Sequence, residues 1–368
     1  MQWISSRFIK HGKASFIVGG QWGSEAKGAA ASWLAEQIVK ERVDLDIVTT
    51  NAGAQAGHTS YTNGAKRVVF HLPTVPLVMR DLDPFGRRVL TYINAGSIID
   101  PDVLVKEIEN ERLGVGDFYI HPMAAVISEE DKTAEGGADT ATTKIASTRK
   151  GVGNALSRKI MRGALTAKDH PMLKRYVKRL DLNQQMEAGA SVLVEVPQGV
   201  SLSLNHSKFY PHTTSRDCTP ASAMSDAGIH PNFYGGTMVV LRTFPIRVGN
   251  INDESTGREL GFSGGHYPDQ KEVSWDELGV EAEITTVTKR VRRVFTFSRL
   301  QILDTFSLVR PDVVFLSFCN YFSGGGQTVG VNGVLREIEG VCEELGIPRP
   351  VILTQWGPYN EDVRSVNV

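Results

Sequence analysis

A short apolar stretch, Phe16–Val18, runs directly into a glycine-rich turn that ends at Lys27 and Gly28, where a helical pattern begins. Glycines allow backbone N–H groups to approach a phosphate, the helix N-terminus favours negative charge, and a lysine supplies a compact cation. The spacing therefore favours a phosphate site that includes Gly23 and Lys27, although a tight packing turn between strand and helix has the same composition. It is not a standard P-loop, because Ala26 and Gly28 stand where Gly and Ser or Thr are required.

Two further segments carry groups that could take part in chemistry. His58 lies in a turn of small residues, Ala56–Thr59, where a histidine can exchange protons near neutral pH or simply pack. The run Thr285–Arg293 contains four basic residues, and guanidinium groups fit carboxylates and phosphates. The same run is also consistent with a solvated charged face. It is short and has no interleaved aromatic residues, which argues against a nucleic-acid interface.

Apolar runs that recur along the chain predict the strands that would position these residues. Short runs rich in β-branched residues fit strands buried on both faces of a parallel sheet, and they occur at Phe16–Val18, Ile47–Val48, Val89–Ile93, Val192–Val196, Val239–Leu241, Val313–Phe318 and Val351–Leu353. Helical periodicity covers Asp102–Arg112, Pro171–Ala188 and Gly333–Glu344. This alternation predicts an α/β fold with a central, mostly parallel sheet flanked by helices, which we interpret as a single domain over residues 1–368.

Two segments are poor in core-forming residues and are predicted to be loops. Residues 128–150 are rich in Glu, Thr, Ala and Gly, and residues 249–274 are rich in Gly, Asp and Glu. Segments of this composition are either solvated connections or loops that close over a ligand. Both interpretations remain open at this point.

The composition limits the class of protein and its partners. With 368 residues, 41% hydrophobic and 22% charged, the chain is typical of a globular enzyme and has no run long enough to span a membrane. A formal net charge of −1 gives no general attraction to nucleic acid or to an anionic membrane. Three scattered cysteines and an N-terminal segment without an apolar core predict reduced thiols in a soluble, cytoplasmic protein.

Two strings of residues resemble motifs of the adenylosuccinate synthetase family. Gly20-Gln-Trp-Gly-Ser-Glu-Ala-Lys-Gly28 is similar to the family's Gly-x-Gln-Trp-Gly-Asp-Glu-Gly-Lys-Gly, and Gln55-Ala-Gly-His-Thr59 is similar to Asn-Ala-Gly-His-Thr. Two uncommon strings in the right order are hard to obtain by chance, and weaker matches extend over nearly the whole chain. The resemblance implies a P-loop-related fold with ligand-responsive loops at residues 128–150 and 249–274. It also implies a C–N ligase activity, Mg²⁺ as cofactor, and a homodimer with shared active sites.

The departure from the family motif is as informative as the match. Ser24 replaces the family's acidic general base, and this replacement resembles the phage branch of the family, which joins L-aspartate to dGMP on the way to 2-aminoadenine DNA. A serine hydroxyl is shorter and neutral, so it leaves room for the 2-amino group of guanine, but it is not a base near neutrality without help. Three interpretations stay open: a dGMP enzyme, an ordinary family member that acts on IMP, and a nucleotide-binding regulator that has lost catalysis.

The resemblance also implies a two-step reaction. Phosphorylation of the purine 6-oxygen converts it into a good leaving group, and the amine of L-aspartate then attacks C6. Lys27 is expected to stabilise the transferring phosphoryl group, and His58 to steady the 6-oxygen. Asn320 stands where GTP-using members carry an aspartate that recognises guanine, which favours ATP or dATP as the donor. A phage gene would place the enzyme in the host cytoplasm.

The resemblance assigns residues to each ligand. The donor nucleotide is expected to contact Gly23, Ser24, Glu25, Ala26, Lys27, Gly28, Gly57, His58, Thr59, Asn320, Gln355 and Gly357. The residues expected at dGMP are Ser24, Gln55, Thr148, Gln198, Thr214, Arg290 and, across the dimer interface, Arg162. L-aspartate is expected to contact Thr286, Val287, Thr288, Arg290 and Arg292, and Mg²⁺ to contact Ser24 and the carbonyl of Gly57.

Overall fold

The computed structural model describes residues 4–137, 140–253, 255–285, 288–324 and 330–366. The α-helices of these ranges are α1 (Ile4–Phe8), α2 (Lys27–Glu41), α3 (Thr74–Leu82), α4 (Pro101–Asn110), α5 (Glu129–Gly136), α6 (Ala141–Lys144), α7 (Val152–Ile160), α8 (Leu182–Glu187), α9 (Pro220–Ala227), α10 (Trp275–Leu278), α11 (Arg299–Val309) and α12 (Val331–Leu345). The strands are β1 (Ala14–Gly19), β2 (Ile47–Thr50), β3 (His58–Thr62), β4 (Ala65–Val69), β5 (Leu90–Ile93), β6 (Ile98–Ile99), β7 (Phe118–Ile120), β8 (Ala125–Val126), β9 (Val192–Gly199), β10 (Tyr234–Arg242), β11 (Ile246–Arg247), β12 (Ile251–Asn252), β13 (Glu259–Gly261), β14 (Glu272–Val273), β15 (Arg293–Phe295), β16 (Val313–Ser317), β17 (Val351–Gln355) and β18 (Val363–Ser365).

A central sheet organises the fold. Within the described ranges, nine strands pair in the order β18-β17-β16-β10-β1-β9-β2-β5-β7. Neighbouring strands are parallel throughout, except for the antiparallel pair β17–β18 at one edge. The predicted α/β fold with a mostly parallel sheet is confirmed. Because β1 lies between β10 and β9, the turn after β1 opens at the carboxyl edge of the sheet, where open α/β sheets bind ligands.

The two faces of the sheet are covered by different helices. Phe16 and Val18 of β1 pack in a core cluster with residues of α11 and α12. Ile17, which points to the opposite face, packs in a second cluster with α2. All three side chains are buried, as the continuous apolar run predicts for a central parallel strand. The glycine-rich turn is therefore attached to a central strand whose residues are all buried.

One predicted helix is wrong. Pro171–Ala188 forms a short 3-10 turn, Lys174–Tyr176, and then the separate helix α8. Between them Val177 forms a parallel bridge with Ile120, so the backbone follows the edge strand β7 instead of continuing a helix. The Asp181 side chain then accepts a hydrogen bond from the N–H of Gln184 and begins α8. The helices predicted at 102–112 and 333–344 are present as α4 and α12.

The two predicted loops contain short regular elements. Residues 128–150 include α5 and α6, and residues 249–274 include the strands β12, β13 and β14. Helix α5 begins with a capping box between Ser128 and Asp131, so polar caps rather than an apolar face define it. For this reason the composition of the segment, which is poor in core-forming residues, did not predict helix α5. None of the helices in the described ranges has the length and apolar character needed to cross a membrane.

Candidate active site

Residues 20–26 connect β1 to α2, and we call them the phosphate loop. Gly23 and Ala26 have positive φ angles of 95° and 65°, which turn the chain sharply before α2 begins at Lys27. The side chain of Ala26 makes no capping hydrogen bond to the helix, so the positive end of the α2 dipole faces the loop without a competing acceptor from this residue. The strand, turn and helix predicted around Lys27 are confirmed.

Glu25 holds the phosphate loop from inside the protein. Its carboxylate is buried, and Oε1 accepts hydrogen bonds from the N–H groups of Gln21 (2.9 Å) and Gly23 (2.7 Å). Oε2 lies 3.1 Å from Nζ of Lys27, which also donates to the carbonyl oxygen of Gly23 at 3.2 Å. The Glu25 side chain, predicted to contact the donor nucleotide, is thus directed inward and shapes the loop.

Close backbone contacts fix the phosphate loop against two neighbouring segments. A Cβ on Gly28 would lie 2.3 Å from the carbonyl oxygen of Thr59, and a Cβ on Gly19 would lie 2.5 Å from that of Gln198. Only glycine permits both approaches. As a result the loop, the start of β3 at His58 and the end of β9 converge on one point, although they are far apart in the sequence.

His58 is neutral in this environment. Burial and the nearby Lys27 cation lower the pKa of His58 to about 3. Its Nδ1 lies 3.8 Å from Oε2 of Glu195, and its buried Nε2 has no hydrogen-bond partner among the residues that the structure describes. Burial raises the pKa of Glu195 to about 7, although the N–H groups of Thr74 and Val75 donate to its carboxylate at 2.8 Å each. The sequence-based expectation of a pKa near neutrality for His58 is therefore corrected.

We expect the His58 imidazole to stay neutral from pH 8 down to about pH 5 in the ligand-free protein, because its lowered pKa lies well below that range. Between pH 6.5 and about 3, the His58 side chain binds more protons in the unfolded chain than in the folded one. The contribution of His58 to stability therefore falls as the pH drops through this window. NMR titration of the imidazole, assigned with the His58→Gln variant, measures the pKa. A midpoint above 6 contradicts the assignment.

A cavity of about 260 Å³ gathers residues predicted for different ligands. The predicted residues that line it are Gly23, Ser24, Gln55, Gly57, His58, Thr148, Gln198, Thr214, Thr288 and Arg292. Nε2 of Gln55 lies 3.4 Å from Oε1 of Gln198, so these two amides face each other across the cavity wall. Arg290 lines an adjoining cavity that shares Thr148, Thr288 and Arg292 with the first. Most of the predicted dGMP and aspartate contacts thus lie together.

Other predicted residues lie outside these two cavities. Asn320 lies in a 3-10 turn, Cys319–Gly324, that follows β16, while Gln355 ends β17 and Gly357 follows it. Because β16 and β17 are adjacent parallel strands, these residues share the carboxyl edge of the sheet with the phosphate loop. Arg162 is exposed just after α7. Thr286 and Val287, predicted for aspartate, lie outside the described residues.

Two arginines contact Ser24, the residue that departs from the family motif. Nη1 of Arg292 donates to the Ser24 hydroxyl oxygen at 2.7 Å, and Nη1 of Arg242 donates to the Ser24 carbonyl oxygen at 3.0 Å. Both arginines also approach the carboxylate of Glu283. The Ser24 hydroxyl oxygen therefore accepts a hydrogen bond from a cation, which makes this oxygen less basic.

The sequence analysis missed three buried charged residues near the cavity. Glu195 interrupts the apolar run of β9, and Arg242 ends that of β10. Arg247 lines the cavity, stacks 4.4 Å above the ring of Trp22 and donates to the carbonyl oxygen of Ser263 at 2.8 Å. A charge inside an apolar strand, or at its carboxyl end, is the signal that could have identified the first two.

Comparison with known proteins places this chain in a family. The model of the adenylosuccinate synthetase family matches residues 16–181 and 167–302. The N6-succino-2-amino-2'-deoxyadenylate synthase of Salmonella phage PMBT28 is 36% identical over 378 residues, covering 97% of each chain. The synthase of the same name from Vibrio phage phiVC8 is 36% identical over 356 residues, covering 93% of this chain and 95% of the relative.

Comparison with solved structures indicates the same family as the sequence relatives. The cyanophage S-2L succinoaminodeoxyadenylate synthetase, bound to dGMP and to dATP as an energy donor, superposes with a TM-score of 0.78 and 31% identity over 97% of this chain and 96% of its own. Adenylosuccinate synthetase from Plasmodium falciparum has the same fold, with a TM-score of 0.72 at 18% identity, over 97% of this chain and all of its own. The chain belongs to the adenylosuccinate synthetase family, whose members are ligases that form C–N bonds.

Proposed function

We propose that this protein condenses L-aspartate with dGMP, using ATP or dATP, to give N6-succinyl-2-amino-2'-deoxyadenylate, ADP or dADP, and phosphate. The observation that carries the proposal is Ser24, a short neutral side chain that lines the cavity and is held there by Arg292. A carboxylate at this place would occupy more space and add a negative charge beside the phosphates. The names of the phage relatives, and the dGMP and dATP bound to the cyanophage protein, support the same substrates.

The first step transfers the γ-phosphoryl group to the guanine 6-oxygen. The new O6–P bond forms as the bond from phosphorus to the ADP or dADP oxygen breaks, and the N1 proton passes to a water molecule. Lys27 is buried beside the phosphate loop, where its cation offsets the charge that develops on the transferring group. Glu25 keeps the Lys27 ammonium in place through the contact at 3.1 Å.

His58 suits the role of a neutral hydrogen-bond donor. Its buried Nε2 has no partner within the described residues, so it is free to contact a ligand in the cavity. A neutral imidazole N–H can donate to the 6-oxygen and stabilise the charge that forms there without becoming an imidazolium first. Ser24 then orients the purine or a water molecule, while Lys27 and His58 lower the barrier to loss of the N1 proton.

In the second step the amine of L-aspartate attacks C6, phosphate departs with the O6 oxygen, and the amine loses a proton. Arg292 and Thr288 line the dGMP cavity, and Arg290 lines the cavity beside it. Guanidinium groups bind carboxylates bidentately, so this position suits the two carboxylates of L-aspartate. The arginines would hold the amino acid while its amine faces the purine ring.

Mg²⁺ is the cofactor that the donor phosphates require. The described residues contain no group of three or more His, Cys, Asp or Glu side chains that could hold a metal by themselves. Mg²⁺ commonly combines one or two protein oxygens with substrate phosphates, and the carbonyl of the exposed Gly57 at the cavity wall fits that pattern. The Ser24 oxygen accepts from Arg292, so it would have to exchange that partner to join the metal. When bound, the metal would offset charge on the phosphates.

We infer that the active unit is a homodimer in which Arg162 reaches the nucleotide site of the partner subunit. Three apolar side chains of the same segment, Ile160, Met161 and Leu165, are exposed near this residue. Met123 is also exposed, and its neighbour Ala124 pairs with the segment through the N–H of Ala167. Such a patch is typical of a protein interface. Each subunit would be one domain, and the phage origin of the relatives supports a location in the host cytoplasm.

The test is aspartate-dependent phosphate release with dGMP, GMP or IMP against ATP, dATP or GTP, with mass detection of the succinylated product. We expect turnover with dGMP and an adenine nucleotide. Turnover with IMP and no turnover with dGMP contradicts the proposal.

We expect Ser24→Asp to lower kcat/KM for dGMP by about 10- to 100-fold, because the carboxylate crowds the 2-amino group and adds charge beside the phosphates. Arg292 can still donate to the new side chain, so the variant should fold. Ser24→Ala serves as the matched control, since it removes the hydroxyl without adding bulk or charge. Unchanged dGMP turnover in Ser24→Asp excludes the steric argument.

A further inference from the structure

Glu283 is a carboxylate that the mechanism above does not use, and it lies between the two arginines that contact Ser24. Its Oε1 is 2.5 Å from Nη2 of Arg242, and its Oε2 is 3.7 Å from Nε of Arg292. The hydroxyl of Tyr321 donates to Oε1 at 2.8 Å. Burial alone raises the pKa of Glu283, but these three neighbours outweigh it and hold the pKa below its ordinary value. The carboxylate is therefore charged at neutral pH.

The two arginines depend on Glu283 for their positions. Arg242 is only 1% exposed, so its cation requires a counter-charge, which the partly exposed carboxylate of Glu283 supplies. Arg292 is placed by Glu283 on one side and by the Ser24 hydroxyl on the other. A shift of the Glu283 carboxylate would therefore move the groups that hold Ser24 and that we assign to L-aspartate.

Tyr321 connects this cluster to a different part of the site. It lies in the 3-10 turn Cys319–Gly324, next to Asn320, which we assign to the donor base. In the same turn region, the ring of Phe318 stacks 3.9 Å from the Arg242 guanidinium and 5.0 Å from the Tyr321 ring. Movement of this turn on donor binding would thus displace the Tyr321 hydroxyl that donates to Glu283.

We propose that Glu283 is a positioning residue for Arg292 and Ser24, and that Tyr321 links it to the donor segment, so that donor nucleotide and L-aspartate bind cooperatively. The proposal rests on the proposed function for the assignment of Asn320 and Arg292. The ion pair of the buried Arg242 with the partly exposed Glu283 would by itself give little net stability. The additional contacts to Tyr321 and Arg292 join two ligand sites through one carboxylate, which gives a physical route for a coupling free energy.

The test measures L-aspartate binding by calorimetry in the presence of dGMP, with and without a non-hydrolysable β,γ-imido analogue of ATP. In the wild-type protein the analogue should raise aspartate affinity by about fivefold or more. In Tyr321→Phe this factor should fall below about twofold, while aspartate affinity without the analogue changes by less than about threefold. Tyr234→Phe is the matched control: it also loses a hydroxyl contact, to Thr237 at 2.9 Å, but at the opposite end of β10 from Arg242.

A second variant separates positioning from folding. Glu283→Gln retains an oxygen that can accept from Tyr321 but removes the charge that faces both arginines, so it should weaken aspartate binding with and without the analogue. The proposal is overturned if the analogue raises aspartate affinity as much in Tyr321→Phe as in the wild-type protein. It is also overturned if the analogue does not raise aspartate affinity in the wild-type protein. Failure of the proposed function is a different result, because a wild-type protein that uses IMP rather than dGMP still permits the same measurement with IMP.

Discussion

Replacement of Lys27 by methionine should lower kcat by about 100- to 1000-fold, the usual effect of removing one group that stabilises a developing negative charge. The ammonium of Lys27 is buried beside the Gly23 carbonyl, where the phosphate loop meets the start of α2. Methionine keeps the apolar stem and removes only the charge. Steady-state phosphate release with dGMP, L-aspartate and ATP measures the effect.

The same substitution should also destabilise the protein, and the two effects can be separated. Without Lys27 the buried carboxylate of Glu25 has no counter-charge, which costs about 3–5 kcal/mol in comparable buried pairs. Adding Glu25→Gln removes the carboxylate charge that has lost its ion-pair partner. The amide keeps an oxygen that can accept from the N–H groups of Gln21 and Gly23. We expect the double variant to recover thermal stability but not activity. Recovery of both would show that Lys27 serves only to fold the loop.

Local sequence was sufficient to predict the parts of the site that are built from neighbouring residues. The turn after β1 and the start of α2 at Lys27 follow from glycine placement and hydrophobic periodicity. The turn predicted over Ala56–Thr59 is wrong at its second half, because His58 and Thr59 begin strand β3. The central parallel strands were also predictable, because burial on both faces produces continuous apolar runs. These features need no knowledge of contacts between distant segments.

Contacts between distant segments are the part that the sequence could not provide. Glu283 meets Arg242 across 41 positions, and Arg292 meets Ser24 across 268. No periodicity encodes such pairings, and none of these residues indicates in the sequence which distant residue it contacts. The environment of His58 was mispredicted for the same reason, since Lys27 and the surrounding burial that lower its pKa come from other elements of the fold. Amide and ion-pair contacts of this kind become visible only when the strands are assembled.

His58→Ala should lower kcat by about 100- to 10,000-fold, the range for loss of a group that donates a proton or a hydrogen bond in the transition state. The neutral imidazole suggests that hydrogen bonding, rather than a full positive charge, is what His58 contributes. His58→Gln tests this directly, because its terminal amide supplies a neutral N–H donor near the place of Nε2. We expect the glutamine variant to retain at least about tenfold more activity than the alanine variant.

The pH dependence distinguishes the two possible roles of His58. A neutral donor gives a kcat that does not depend on ionisation of His58 between pH 6 and 8, since its pKa of about 3 lies far below that range. A histidine that must first become an imidazolium would instead give a kcat that rises as the pH falls, and the glutamine variant would then be as inactive as the alanine variant. If the two variants are equally active and kcat of the wild-type protein rises in this way, His58 acts by proton transfer and not by hydrogen bonding alone. Retention of activity by glutamine and a flat profile would leave the buried, unpartnered Nε2 as the group that contacts the 6-oxygen.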